Sequence, residues 1–158
     1  MLRTLLVVAH AGAGVGGLLL GLAALRPPAN IDSRLRTRRL YAASIAALLA
    51  SMIALIAVDW RGLETGARTA FVGLAGLGAV MAYRVARAHH EAKAKTPGWQ
   101  VRYIGHVYFT YVSLWIGFLI VPALSLPLPH VVIPAMVVAV LAVGHILVAS
   151  YTQRVIAA

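Results

Sequence analysis

Histidine is the residue type with the widest chemical reach in this sequence. Three of the six histidines, His10, His106 and His145, fall inside long apolar runs. An ionisable side chain in hydrocarbon is costly and marks a functional position by default. A neutral imidazole placed there can ligate a metal or a haem iron, or relay a proton. His106 stands four residues after Arg102, and His145 nine residues before Arg154. At 1.5 Å rise per residue the two imidazoles fall within roughly one to two turns of the same depth. They belong to consecutive apolar runs joined by a short turn, which is the pairing a bis-histidine b-type haem requires. His106 and His145 are therefore the expected metal ligands. His10 lies at the other side of the layer, seven residues in from Arg3, with His130 as its available histidine partner.

The surroundings of these residues differ. Gly14, Gly17 and Gly21 follow His10 at i+4, i+7 and i+11, on one helix face. That face offers a slot that either a porphyrin or a neighbouring helix fills. His106 shares its face with Arg102, Tyr103, Phe109, Thr110 and Ser113, which suits a polar network or a cofactor edge. His145 is surrounded by Val138, Leu141, Ala142 and Ala149, small and apolar. Plainer roles stand beside the chemical ones. A membrane histidine often only hydrogen-bonds the next helix, and Arg102 is expected to snorkel to the interface. His89 and His90 read as solvated residues of a basic loop, and Ser44 and Ser51 as interhelical hydrogen bonds.

No soluble-enzyme motif accompanies the histidines. There is no P-loop and no HExxH, and the glycines between Gly12 and Gly17 lack the strand–turn–helix context of a nucleotide loop. The acidic residues, Asp32, Asp59, Glu64 and Glu91, all lie between apolar runs. That weakens a carboxylate-based proton pathway. The absence of cysteine removes disulfides, thiolate-held metals and a thiol nucleophile.

The elements that must carry these residues are membrane helices. Hydrophobic residues make up 61% of the 158 residues and charged residues 11%. A soluble domain carries about a quarter charged residues. The apolar residues form five blocks, about 4–25, 40–58, 69–88, 101–121 and 130–151, each near the roughly 20 residues a bilayer core demands. They use nearly the whole chain, so residues 1–158 read as one all-α, five-helix polytopic membrane bundle. The first block is too long for the apolar core of a signal peptide and reads as a retained helix. Arg-Pro-Pro at 26–28, Asp59 to Gly62, Pro97-Gly98 and the prolines at 122, 127 and 129 separate the blocks.

The formal charge of +10 is carried beside the spans rather than on a soluble face, which argues against a nucleic-acid partner. Lys and Arg concentrate after the first and third blocks and are sparse after the second and fourth. This alternation predicts an N-terminus outside and a cytoplasmic C-terminus in a bacterial inner membrane. Arg34, Arg36, Arg38 and Arg39 then face anionic lipid headgroups. Small-residue spacing at Gly12/Gly16, Gly17/Gly21 and Gly73/Gly76/Gly78 favours close helix packing, within the bundle or in a homo-oligomer or larger complex.

The run from His10 to Gly21, a histidine followed by glycines, resembles the first helix of a bacterial membrane-protein family, domain of unknown function number twenty-three-oh-six. Trp99 and Arg102 are similar to two positions of its His-Arg-Arg-Trp-Met-x-Arg signature, with Thr96 standing where the signature has histidine. Arg38 and Tyr41 fall near its His-Arg and Gly-x-x-Tyr positions. The resemblance implies a membrane topology and supplies no activity. Three functions remain open at this point: a small haem or redox protein, a non-catalytic accessory or assembly subunit, and a carrier for a small molecule or proton.

Overall fold

A computed structural model describes residues 1–25, 31–124 and 131–157 of the chain. The described residues form five helices: α1 (Leu2–Leu25), α2 (Ile31–Asp59), α3 (Thr65–Ala94), α4 (Trp99–Leu124) and α5 (Val132–Ala157). A 3₁₀ turn, Trp60–Gly62, follows α2. The described stretches contain no strand. Lipid offers no partner for backbone N–H and C=O groups, so apolar sequence of this length takes the conformation that satisfies them internally.

Among the described residues four helical stretches are long and apolar enough to cross a membrane: Leu2–Leu25, Leu35–Gly62, Thr65–Ala94 and Pro134–Gln153. Only 6–17% of the most apolar part of each is buried by the rest of the chain, which leaves most of their surface for lipid or a partner. At 26 residues α4 is also long enough, but its first half interleaves Arg102, Tyr103, His106, Tyr108, Thr110 and Tyr111 with the apolar residues.

The helices run further than the apolar blocks. Helix α2 includes Arg36, Arg38 and Arg39, and α3 continues through His89, His90 and Glu91, so neither basic segment is a loop. Arg, Lys and Glu are good helix formers, and extending an existing helix costs far less than starting one. Pro122 lies inside the last turns of α4 rather than in the following turn. Pro134 sits in the first turn of α5, where a missing N–H leaves no bond unmade.

Internal contacts gather into two compact units, Met1–Tyr83 and Arg84–Ala158, with the boundary inside α3. In the first unit α1 and α2 pack antiparallel. Arg3 pairs with Asp59 at 3.0 Å, and the Ser44 hydroxyl donates to the Ala13 carbonyl at 2.6 Å. Gly17 and Gly21 of α1 are buried, whereas a Cβ at Gly14 or Gly16 would make only ordinary contact, 3.4 Å from Leu48 and 3.5 Å from Ser44 Oγ. Helix α3 meets α2 through Gly78, where a Cβ would lie 2.7 Å from Leu49.

In the second unit α4 packs against α5. The tight point is Gly144, where a Cβ would be 2.9 Å from Val112 Cγ2. Two residues with positive φ shape the connection between α3 and α4: Lys95 at 50° and Gly98 at 73°. The Lys95 amide donates to the Glu91 carbonyl at 3.0 Å, closing the end of α3 in the left-handed form that more often uses glycine.

Gly144 gives a direct test of this packing. Val112 is β-branched and stiff at χ1, so it cannot swing away from an added methyl. Gly144→Ala is expected to lower stability in detergent by about 1–3 kcal/mol. Gly105→Ala and Gly117→Ala on α4 meet nothing within 4 Å and should be neutral or slightly stabilising. Unfolding followed by circular dichroism in mixed micelles compares them; equal effects at all three positions would refute the tight seam.

Candidate functional site

The second unit places its charged residues in two tiers along α3 and α4. In the outer tier the Glu91 carboxylate is buried, with 5% of the residue exposed. It accepts from Arg102 Nε at 2.8 Å and from Arg87 at 3.4 Å. Arg102 also donates to Thr96 Oγ1 at 2.6 Å and to the Pro97 carbonyl at 3.0 Å. Arg102 therefore clamps the α3–α4 connection. This is more than the snorkelling role its sequence position predicts. Glu91 lies beyond the apolar stretch of α3, and the Arg102 hydrogen bond holds its carboxyl below the ordinary carboxylate range, against the opposing effect of burial.

The inner tier joins Arg84, His106 and Phe109. Arg84 NH1 is 3.3 Å from His106 Nδ1, and the Arg84 guanidinium carbon sits 4.9 Å from the Phe109 ring centroid. A guanidinium can only donate, so Nδ1 of His106 is the acceptor and the ring proton is on Nε2. In that tautomer neither ring nitrogen of His106 has a lone pair free for a metal.

His106 thus faces Arg84 on α3. A different side of α4, carrying Tyr108, Tyr111, Val112 and Trp115, lines a groove of about 390 Å³ with Val140, Val143 and Gly144 of α5. His145 follows Gly144 but is turned about 100° round the helix. It is exposed, and no hydrogen bond reaches it from the described residues. The structure does not bring His106 and His145 together. No group of three or more histidine or carboxylate side chains able to hold a metal occurs among the described residues.

In the first unit His10 is half-buried between α1 and α2. Its Nδ1 lies 3.2 Å from both the Leu48 carbonyl and Ser51 Oγ. A carbonyl only accepts, so Nδ1 carries the proton and Nε2 keeps its lone pair. Metal-ligating histidines show this arrangement, with the second nitrogen fixed by a carbonyl. The glycine slot beside it is filled by protein, however. Gly14 faces Leu48, and Gly17 and Gly21 are buried. His130 lies outside the described residues, so no pairing with His10 is described.

Sequence reasoning overlooked Arg84, Arg87 and Glu91 as interacting residues. Their spacing, i, i+3 and i+7, puts them on one helix face, but that signal counts only if the helix is known to continue past the apolar block. The sequence reading of Ser51 as a hydrogen-bonding residue has a concrete counterpart in its contact with His10.

The lowered Glu91 pKa sets the sign of a pH effect. Its contribution to stability is complete above the ordinary carboxylate range and is lost as acidification carries the pH through the lowered value. Arg87 and Arg102 are 45% and 43% exposed in their side chains, so solvent screens the effect. Glu91→Gln should lower the thermal midpoint at neutral pH. The gap to wild type should close in acid. Identical midpoints at pH 7 would show that the clamp carries no stability.

Comparison with protein-family models, with curated proteins and with solved structures finds no match to this chain.

Proposed function

We propose that this chain is a non-catalytic subunit of a larger bacterial inner-membrane assembly, crossing the bilayer five times with its N-terminus outside. The single observation that carries the reading is His145. It is an exposed imidazole in the middle of an apolar helix, without a hydrogen-bond partner among the described residues. An ionisable group facing lipid is costly, and a neighbouring helix that accepts or donates a hydrogen bond removes the cost. Val138, Leu141, Ala142, His145 and Ala149 share one face of α5 and are all exposed. The partner in this reading is another membrane helix with a polar side chain at the depth of His145.

A second reading, a b-type haem protein, draws on the tautomers. The nitrogens open to an iron are Nε2 of His10 and those of His145, whereas the His106 lone pair is engaged by Arg84. Haem would then take His145 as a ligand with its second ligand supplied by the partner helix. A carrier role has no comparable observation in its favour.

The chain has no cysteine, so single-cysteine variants report both neighbours and orientation. With a maleimide photo-crosslinker in native membranes, cysteines at Val138, Leu141 and His145 should capture protein. A cysteine at Val140, in the α4 groove, should not. The docking reading fails if all four give only monomer. In the same series, a cysteine at Lys95 should label from the cytoplasmic side and one at Gly62 from outside; the reverse pattern inverts the proposed orientation.

The haem reading has its own measurement. Reduced-minus-oxidised absorption spectra of protein purified after expression with ample haem should show Soret and α-band changes that His145→Leu abolishes. A featureless difference spectrum sinks it.

A further inference from the structure

We propose that Arg84, held in place by His106 and Phe109, forms a binding site for the phosphate of an anionic lipid, set just beneath the charged clamp of Glu91 and Arg102. The proposal concerns a different site from the α5 face and stands or falls separately from it.

Charge balance makes the first argument. Arg84 is half-buried and has no carboxylate within salt-bridge distance among the described residues. The nearby carboxylate, Glu91, is already shared by Arg87 and Arg102. The polar contact recorded for Arg84 is to a neutral ring nitrogen, His106 Nδ1 at 3.3 Å. A guanidinium carries five N–H donors, so most of its hydrogen-bonding capacity is left for a ligand. An uncompensated cation in this setting favours an anion.

Geometry makes the second. The Phe109 ring lies against the guanidinium, 4.9 Å from centroid to carbon, and restrains it. The His106 Nδ1 contact at 3.3 Å holds the guanidinium from its other side, so imidazole and ring together fix its direction. The donors left on this planar, oriented fork suit two oxygens of a phosphate monoanion.

Depth chooses the source of the phosphate. Arg84 precedes Glu91 by about two turns, roughly 10 Å along α3, and His106 follows Arg102 by about one turn, roughly 6 Å. The headgroup layer is roughly 5–7 Å thick on each side of the hydrocarbon. With the Glu91–Arg102 clamp at the water boundary, His106 stands at the inner edge of the headgroup layer, and the Arg84 guanidinium meets it there from a backbone position a few ångströms deeper. Lipid phosphates already occupy that region, whereas a free phosphate ion would have to leave water to reach it.

The test uses the purified full-length protein in detergent, read by native mass spectrometry with added phosphatidylglycerol, phosphatidylcholine or inorganic phosphate. Wild type should retain phosphatidylglycerol several-fold more than phosphatidylcholine. Arg84→Gln should lower that retention by about ten-fold, the scale of one lost charge-assisted contact. Lys93→Gln, which removes a charge from the same end of α3, should leave retention unchanged. Arg84→Lys keeps the charge without the fork and should fall between. Equal retention of the two lipids by wild type overturns the proposal without any variant. So does equal retention of phosphatidylglycerol by the Arg84→Gln and Lys93→Gln variants. Displacement of phosphatidylglycerol by excess inorganic phosphate overturns the lipid assignment and gives the site to the free ion. If Arg84→Gln does not fold, the wild-type preference and the Arg84→Lys variant decide.

Discussion

Hydrocarbon supplies no hydrogen-bond partner to a polypeptide, and the arrangement of this chain answers that constraint first in the backbone and then side chain by side chain. Among the described residues five helices satisfy most of the main chain. The small hydroxyls follow the same rule by donating to helix carbonyls. Ser51 bonds Ala47 and Leu48, Thr110 bonds Val107, Ser113 bonds Phe109 and Ser150 bonds Ile146, all within 2.8–2.9 Å. Thr110 is fully buried on these terms. The groups that carry functional interest are those this scheme leaves open: the spare donors of Arg84, the lone pair on His10 and the whole imidazole of His145.

Lipid also withdraws the hydrophobic drive that holds soluble helices together, so the helices meet where side chains are small. Gly78 brings α3 to α2 and Gly144 brings α5 to α4, while the short Ser44 side chain bonds α2 directly to the Ala13 carbonyl of α1. The seam at Gly144 is narrow, and the aromatic groove of α4 opens beside it. Because so little of α5 is covered, its remaining faces meet whatever surrounds the protein. This links a packing detail, one glycine, to the exposure of a histidine on the next residue.

The sequence was most informative where one physical demand dominated. Block length and polarity indicated membrane helices, because desolvating a peptide group is costly whatever its neighbours. Helix ends were less legible. Charged segments such as Arg36 to Arg39 and His89 to Glu91 carry no apolar signal, yet they continue helices already formed. The histidines were visible as unusual residues, but their partners were not. Equal depth placed His106 and His145 on one level, while the rotation of each helix, set by Gly144 against Val112 and by Arg84 against His106, turned them to different neighbours. Rotation about a helix axis depends on tertiary contacts that an apolar run of near-uniform composition does not encode. The tautomers lay further out of reach, since each follows from a single contact partner.

The antiparallel pairing of α1 and α2 shows how directional contacts define alignment in a medium where apolar surfaces slide freely. Arg3 meets Asp59, His10 meets Ser51 and Ala13 meets Ser44 as the two helices run past each other. A slip of one residue shifts a helix by about 1.5 Å and turns it by about 100°, enough to break all three contacts together. The three do not share one dielectric environment. Arg3 is 68% exposed in its side chain, so dissolved ions screen its bond to Asp59. The His10 and Ser44 contacts are part-buried and feel far less screening. Raising ionic strength therefore loosens the open end of the hairpin, away from the connection between the two helices, while its interior alignment holds.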